Sequence, residues 1–253
     1  IYEPPVGQTP LWDNVKVNAL FSSEVNQKSI ETSISDICNI VVIDTVKLKD
    51  RVWEEECQKD FPSMRFGKRL WVCPSWDTES ILSNDSIVIH MDPGLAFGTG
   101  SHPTTALCLQ WIAEQNWQTK TVIDYGCGSG ILAIGAILMG AEYVVGVDND
   151  TQALTATIDN AQRNSIAPEK IPVFLPENTP NEAVDVMLAN ILDGPLIDMA
   201  PRLAELTKSG GLIALSGIRE HQASAVIDAY EPWFDMHTVV SKDEWVRIDG
   251  QKR

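Results

Sequence analysis

From Thr121 onward, short apolar runs alternate with longer stretches in which apolar residues recur every three or four positions. The pattern predicts strands over 121–125, 143–147, 171–175, 184–189 and 211–216, and helices over 130–139, 151–164, 195–207 and 219–230. Strand and helix in alternation imply an α/β fold: a doubly wound, mostly parallel, seven-stranded sheet covered by helices on both faces. The tail segments "FDMHTVV" and "DEWVRID" read as an antiparallel pair that closes this sheet. Upstream, "RLWVCPSW" and "SIVIHMDP" are two short strand candidates. A helix from Ser101 to about Gln115 places Leu107, Trp111 and Gln115 on one face.

The first fifty residues follow a different plan. "NVKVNALFS" alternates like a strand, "EVNQKSIETSISDIC" is helical with Val25, Ile30, Ile34 and Ile37 on its apolar side, and "NIVVIDTVKLK" is again a strand. Two strands and a helix make a marginal domain alone. This unit is therefore expected to be half of an α+β sandwich whose other half lies before Ile1, where the chain starts without a methionine. The resulting division is 1–49 as a partial α+β domain, 50–64 as a charged linker helix, and 65–253 as the α/β domain.

Composition narrows the function. The chain is 44% hydrophobic, enough for an ordinary core, and has no apolar stretch approaching the roughly 20 residues of a membrane span. Neither a membrane partner nor a signal peptide is expected. Five cysteines without close pairing or histidine partners read as reduced thiols in a cytoplasmic protein, and no metal site is expected. A net charge of −16 disfavours direct binding to nucleic acid and suits a cationic partner, although acidic surfaces also serve solubility alone.

In an open parallel sheet, ligands bind beyond the carboxyl ends of the strands. The residues there are Asp124, Gly126, Gly128 and Gly130 after the first strand, Asp148 after the second, and Asn190 after the fourth. Asp148 lies about 20 residues past the glycine turn, where an acid can accept from ribose hydroxyls. The glycines also fit a dinucleotide fingerprint loosely, but Asp124 at the turn would repel a pyrophosphate and favour a ligand with a cationic tail. S-adenosylmethionine, with a sulfonium, an ammonium and no phosphate, meets that condition. "DPGLAFGTGSHPTT" lacks the lysine of a phosphate loop and reads as a segment over the ligand, with Thr104 and Thr105 at a helix start. His102 is a candidate base or a structural residue; Asn190 could fix an amine for methylation or cap the next helix.

"MDPGLAFGTGSHPTT", "VIDYGCGSGILAI", "VGVDND" and "NILDGPL", in this order and spacing, strongly resemble the PrmA family, the bacterial methyltransferases of ribosomal large-subunit protein eleven. The resemblance spans nearly the whole chain. It implies a class I, Rossmann-like S-adenosylmethionine-dependent enzyme preceded by part of a small ferredoxin-like α+β substrate-recognition domain. It further implies methylation of lysine ε-amines and the terminal α-amine of a basic ribosomal protein. Thr105, Gly126, Asp148 and Asn190 would contact the cofactor, with Asn190, Thr105 and His102 as candidates for the catalytic side. A monomer is expected. The alternatives are a nicotinamide-dependent oxidoreductase and a non-catalytic ribosome-associated binding protein.

Overall fold

The computed structural model describes residues 21–22, 25–26, 28–30, 61–77, 85–92, 98–237 and 239–253. The chain divides into two units, Ile1–Val52 and Trp53–Arg253. In the first unit, residues 28–30 are helical, within the helix predicted over 24–38. Val25, assigned to the apolar side of that helix, precedes the helical residues and is exposed. The two predicted strands of this unit lie outside the described residues, as do Cys38, Cys57 and most of the predicted linker. That linker does not reach residue 64 as a helix: 61–63 are irregular and Met64 opens a strand.

The second unit contains two sheets. Strands β1 (Met64–Phe66), β2 (Leu70–Cys73) and β3 (Ile87–His90) form a small mixed sheet in which β1 and β2 are antiparallel and β2 and β3 are parallel. The larger sheet is built from β4 (Thr121–Tyr125), β5 (Tyr143–Val147), β6 (Val173–Phe174), β7 (Val184–Asn190), β8 (Thr207–Arg219), β9 (Phe234–Met236), β10 (Val240–Lys242) and β11 (Trp245–Lys252). Its order is β10-β11-β8-β7-β4-β5-β6, with β9 also on β11. The eight strands correct the expected seven for a simple reason. The predicted strand "FDMHTVV" is broken: β9 pairs with residues 250–252 and β10 with residues 245–247 of β11, whose other edge is taken by β8.

Helices α1 (Pro103–Glu114), α2 (Ile131–Leu138), α3 (Thr151–Arg163), α4 (Asp193–Glu205) and α5 (Ala223–Tyr230) cover the large sheet. Consecutive strand residues point to opposite faces, so two cores form. Val122, Val144, Val186, Leu188 and Ala214 enter one, beneath α1 and α2; Ile123, Val145, Met187, Ala189, Ile213 and Leu215 enter the other, beneath α4 and α5. This explains why β4, β5 and β7 read as continuous apolar runs. Truncating a fully buried position such as Leu188 to alanine should cost about 3 kcal/mol. Helix α1 is buried almost all round, not on one face as its periodicity suggested, because β8 and β11 line one side and β1 and α2 pack elsewhere.

Several boundaries moved inward or outward. Helix α4 starts at Asp193 and ends at Glu205, and β8 begins at Thr207, four residues before the predicted strand. The predicted helix 219–230 is a strand end at Arg219, a 3-10 turn at Glu220–Gln222 and α5. Among the described residues, no helix is long and apolar enough to cross a membrane.

Candidate functional site

Strand β4 ends at Tyr125 and the chain turns through Gly126, Gly128 and Gly130, with φ of 80°, 54° and 78°. The turn is tied down on both sides. The amides of Gly126 and Cys127 donate to the Val147 carbonyl at 2.7 and 3.0 Å, while Thr157 and Asn160 of α3 donate to the carbonyls of Gly128 and Ser129 at 3.0 and 2.9 Å. The Ser129 hydroxyl donates to the carbonyl of Gly98, which links this turn to the glycine-rich segment before α1. The turn is thus pre-organised by the fold.

Asp124 is fully buried. Its Oδ2 accepts from the Ala133 amide at 3.1 Å, and its Oδ1 has no partner among the described residues. Burial pushes its carboxyl up to about 7, Asp148 pushes the same way, and the Ala133 amide opposes both. An orphaned carboxylate oxygen costs a few kcal/mol unless a donor or cation meets it. The geometry therefore offers a place for a positively charged donor.

Asp148 stands just past β5. Its Oδ2 accepts from the Gly128 amide at 2.9 Å and its Oδ1 from the Asp150 amide at 3.0 Å. A carboxylate has about four lone-pair sites, so two remain for the hydroxyls of a ribose. Asp148 is not the cap of α3: that place is taken by Asp150, which accepts from the Gln152 amide at 2.8 Å.

Asn190 is the last residue of β7 and pairs in register with Ser216. Its Nδ2 donates to Thr105 Oγ1 at 3.4 Å, and its Oδ1 is buried without a partner among the described residues. It caps no helix: the residue before α4 is Leu192, which supplies no side-chain bond. Thr105 is 1% exposed on the first turn of α1. His102 is the N-cap of that helix, its Nδ1 within 2.8 Å of Thr104 Oγ1 and its ring edge-on to Trp245 at 5.0 Å. Burial is the larger cause that lowers its pKa, which favours the neutral ring.

Sequence reasoning missed the residues that hold this set in place. Arg247 is buried on β11; its Nη1 donates to the Leu107 carbonyl at 3.2 Å and its Nη2 pairs with Asp249 at 2.9 Å, which pins α1 to the sheet. Its neighbours Val246 and Ile248 are equally buried, so no alternation betrayed it. Ser129 carried no signal beyond lying between two glycines, and Thr157 and Asn160 carried none. Cys108 and Cys127 are buried with their thiols pushed up to about 12 by burial, which leaves them protonated and unsuited to nucleophilic work. Among the described residues no cluster of histidine, cysteine, aspartate or glutamate could hold a metal.

A family model described as ribosomal protein L11 methyltransferase (PrmA) matches residues 1–253. The chain belongs to this family. A ribosomal protein L11 methyltransferase of Cellvibrio japonicus is 50% identical over 254 residues, covering 100% of this chain and 86% of that protein. One of Marinobacter nauticus is 47% identical over 259 residues, with the same coverage. The crystal structure of a ribosomal protein L11 methylase from Lactobacillus delbrueckii subsp. bulgaricus superposes with a TM-score of 0.69 at 30% identity, over 76% of this chain and 100% of that one. The fold is that of the class I methyltransferases, and the protein is a methyltransferase of the PrmA family. Membership decides against the nicotinamide oxidoreductase and against a scaffold without chemistry.

Proposed function

We propose that this enzyme transfers methyl groups from S-adenosylmethionine to lysine ε-amines and the terminal α-amine of the basic ribosomal protein L11. One observation carries the reading: Asp124 and Asn190 each bury an oxygen with no partner among the described residues, at the carboxyl ends of adjacent strands. The two sites ask for different donors. Asp124 suits the cationic tail of the cofactor, and Asn190 suits an N–H of the acceptor amine. Bound there, S-adenosylmethionine would supply an electrophilic methyl on sulfur. Asp148 would hold its ribose, with the glycine turn at Gly126, Gly128 and Gly130 admitting the ligand close to backbone. Thr105, bonded to Asn190, fixes the amide that faces the acceptor.

The acceptor must arrive neutral. A lysine with a pKa near 10.4 is neutral about one part in a thousand at pH 7.4, a cost of roughly 4 kcal/mol. Partial burial in the mouth of the site lowers that cost, so water can take the proton without a dedicated base. Asn190 accepting one N–H aims the nitrogen lone pair, and positioning supplies most of the acceleration. His102 is assigned to capping α1, not to proton transfer. Residues 1–49 are assigned to substrate recognition, and the acidic character of the chain to attraction of a basic partner. Incubation with labelled methyl donor and purified L11 tests the reading: label on L11, with mass steps of whole methyl groups, is expected. Absence of label on L11 when the protein binds S-adenosylhomocysteine would reject the substrate.

A further inference from the structure

Asn190 is followed by Ile191, and two glycines distant in sequence meet that one residue. A Cβ at Gly126, in the cofactor turn, would overlap the Ile191 Cγ2 methyl while lying 3.7 Å from its Cβ. A Cβ at Gly217, on β8, would overlap the Ile191 carbonyl oxygen and approach its carbonyl carbon at 2.7 Å and its amide nitrogen at 3.0 Å. Gly126 therefore receives the side chain of Ile191, and Gly217 receives its backbone. Both glycines also have left-handed φ, 80° and 86°.

We infer that Ile191 is a positioning residue: wedged between Gly126 and Gly217, it locks the loop bearing Asn190 to the cofactor turn. Ile191 reaches no reacting atom; it acts through the peptide it shares with Asn190. A β-branched side chain has one stiff χ1 rotamer, so its methyl cannot swing aside as the tip of a leucine could. The backbone contact at Gly217 is stiffer still. Ser216, the residue before it, pairs with Asn190 and donates to the Val246 carbonyl at 2.9 Å, which holds β8 in place. Displacement on either side must then be taken up by the Asn190–Ile191 segment. The consequence is a division of labour: Gly217 sets acceptor geometry alone, whereas Gly126 sets acceptor and cofactor geometry together.

The inference rests on the reading of Asn190 as the acceptor residue, and the experiment separates the two. Gly210 supplies the control, since its φ is 75° and nothing lies within 4 Å of its Cβ position. Gly210→Ala measures the strain of a left-handed alanine without any overlap. Full-length protein and its variants are compared by calorimetry with S-adenosylhomocysteine, by thermal unfolding, and by methyl transfer to L11. Gly217→Ala should lower kcat by about a hundredfold, the loss typical of a displacement near 1 Å, with S-adenosylhomocysteine affinity unchanged. Gly126→Ala should weaken both. Adding Ile191→Ala to Gly126→Ala removes the overlapping methyl and should restore affinity to the level of Gly210→Ala, whereas adding it to Gly217→Ala should restore nothing, because that overlap is with backbone. Failure of the first rescue, or success of the second, overturns the wedge. If Gly217→Ala does not fold, the Gly126 pair still decides by affinity alone. If wild type binds S-adenosylhomocysteine but leaves L11 unlabelled, the substrate reading falls while the rescue still judges the wedge.

Discussion

Strands β4 and β7 lie side by side, and each carries a polar residue near both of its ends. At their amino ends the polar groups are satisfied. Asp185 accepts from the Thr121 amide at 2.9 Å, the Thr121 hydroxyl at 2.7 Å and Lys208 at 3.0 Å. At their carboxyl ends they are not: Asp124 and Asn190 each keep a buried oxygen without a partner. The two carboxylates respond in opposite ways. Burial pushes Asp185 upward, but the Thr121 bonds and Lys208 outweigh it and bring it to about 2, whereas burial dominates at Asp124 and brings it to about 7. The same two strands thus have one end whose polar groups are met within the fold and one end whose buried oxygens the described residues leave unmet, as a binding end would require, since binding groups cannot also be used up by the fold.

The contrast can be broken most sharply at Asn190. Asn190→Ala is expected to lower kcat for L11 methylation by about a hundredfold or more with S-adenosylhomocysteine affinity unchanged. Asp148→Ala should do the reverse, weakening affinity by about tenfold to a hundredfold; equal effects on both quantities in both variants would reject the division of roles. At Asp124 the prediction is a pH dependence. A cationic ligand prefers the ionised carboxylate, so affinity should fall by about tenfold per pH unit as pH drops below about 7, and Asp124→Asn should bind weakly with no such slope. The unliganded fold responds with the opposite sign. Because the folded pKa is raised above the unfolded value near 3.9, stability is lost as pH rises from about 4 to 7, by on the order of 4 kcal/mol. Urea unfolding of wild type and Asp124→Asn at pH 5 and 8 would register this as a smaller decline in the variant.

The amino end should behave otherwise. Asp185 has a folded pKa depressed to about 2, so its contribution is present above about pH 4 and disappears as pH falls toward 2. Asp185→Ala should cost about 2 kcal/mol at pH 7 and leave kcat and cofactor affinity untouched. Lys208→Ala should cost less than about 1 kcal/mol, because that side chain is half exposed and screened by solvent. A loss of activity in either variant would erase the distinction between the two ends.

Reading the chain alone reached the parallel sheet and the residues at the carboxyl ends of its strands because both depend on local order. Apolar runs at strand length alternate with helical periodicity, and whatever follows a parallel strand sits at its carboxyl end. Asp124, Asp148 and Asn190 were legible for that reason. The division of the tail strand into β9 and β10 was not, because pairing with the long β11 is needed to see that both share one edge. Nor was the burial of α1 on all sides, since its periodicity could not anticipate a second small sheet packed against it. His102 illustrates ambiguity of another kind: its residue type allowed a base or a cap, and only the structure shows it at the N-cap of α1, bonded to Thr104 and packed on Trp245.

The amino-acid order by itself determined which residues would gather at the head of the sheet, because strand direction is set by the alternation of elements. The tertiary structure decided which of them stay unsatisfied and what holds them still. Asn190 meets Thr105 across 85 residues of chain, and Ile191 is received by glycines on two different strands' ends. Whether a polar atom keeps a free lone pair depends on every neighbour that could have claimed it, and those neighbours are assembled only by packing.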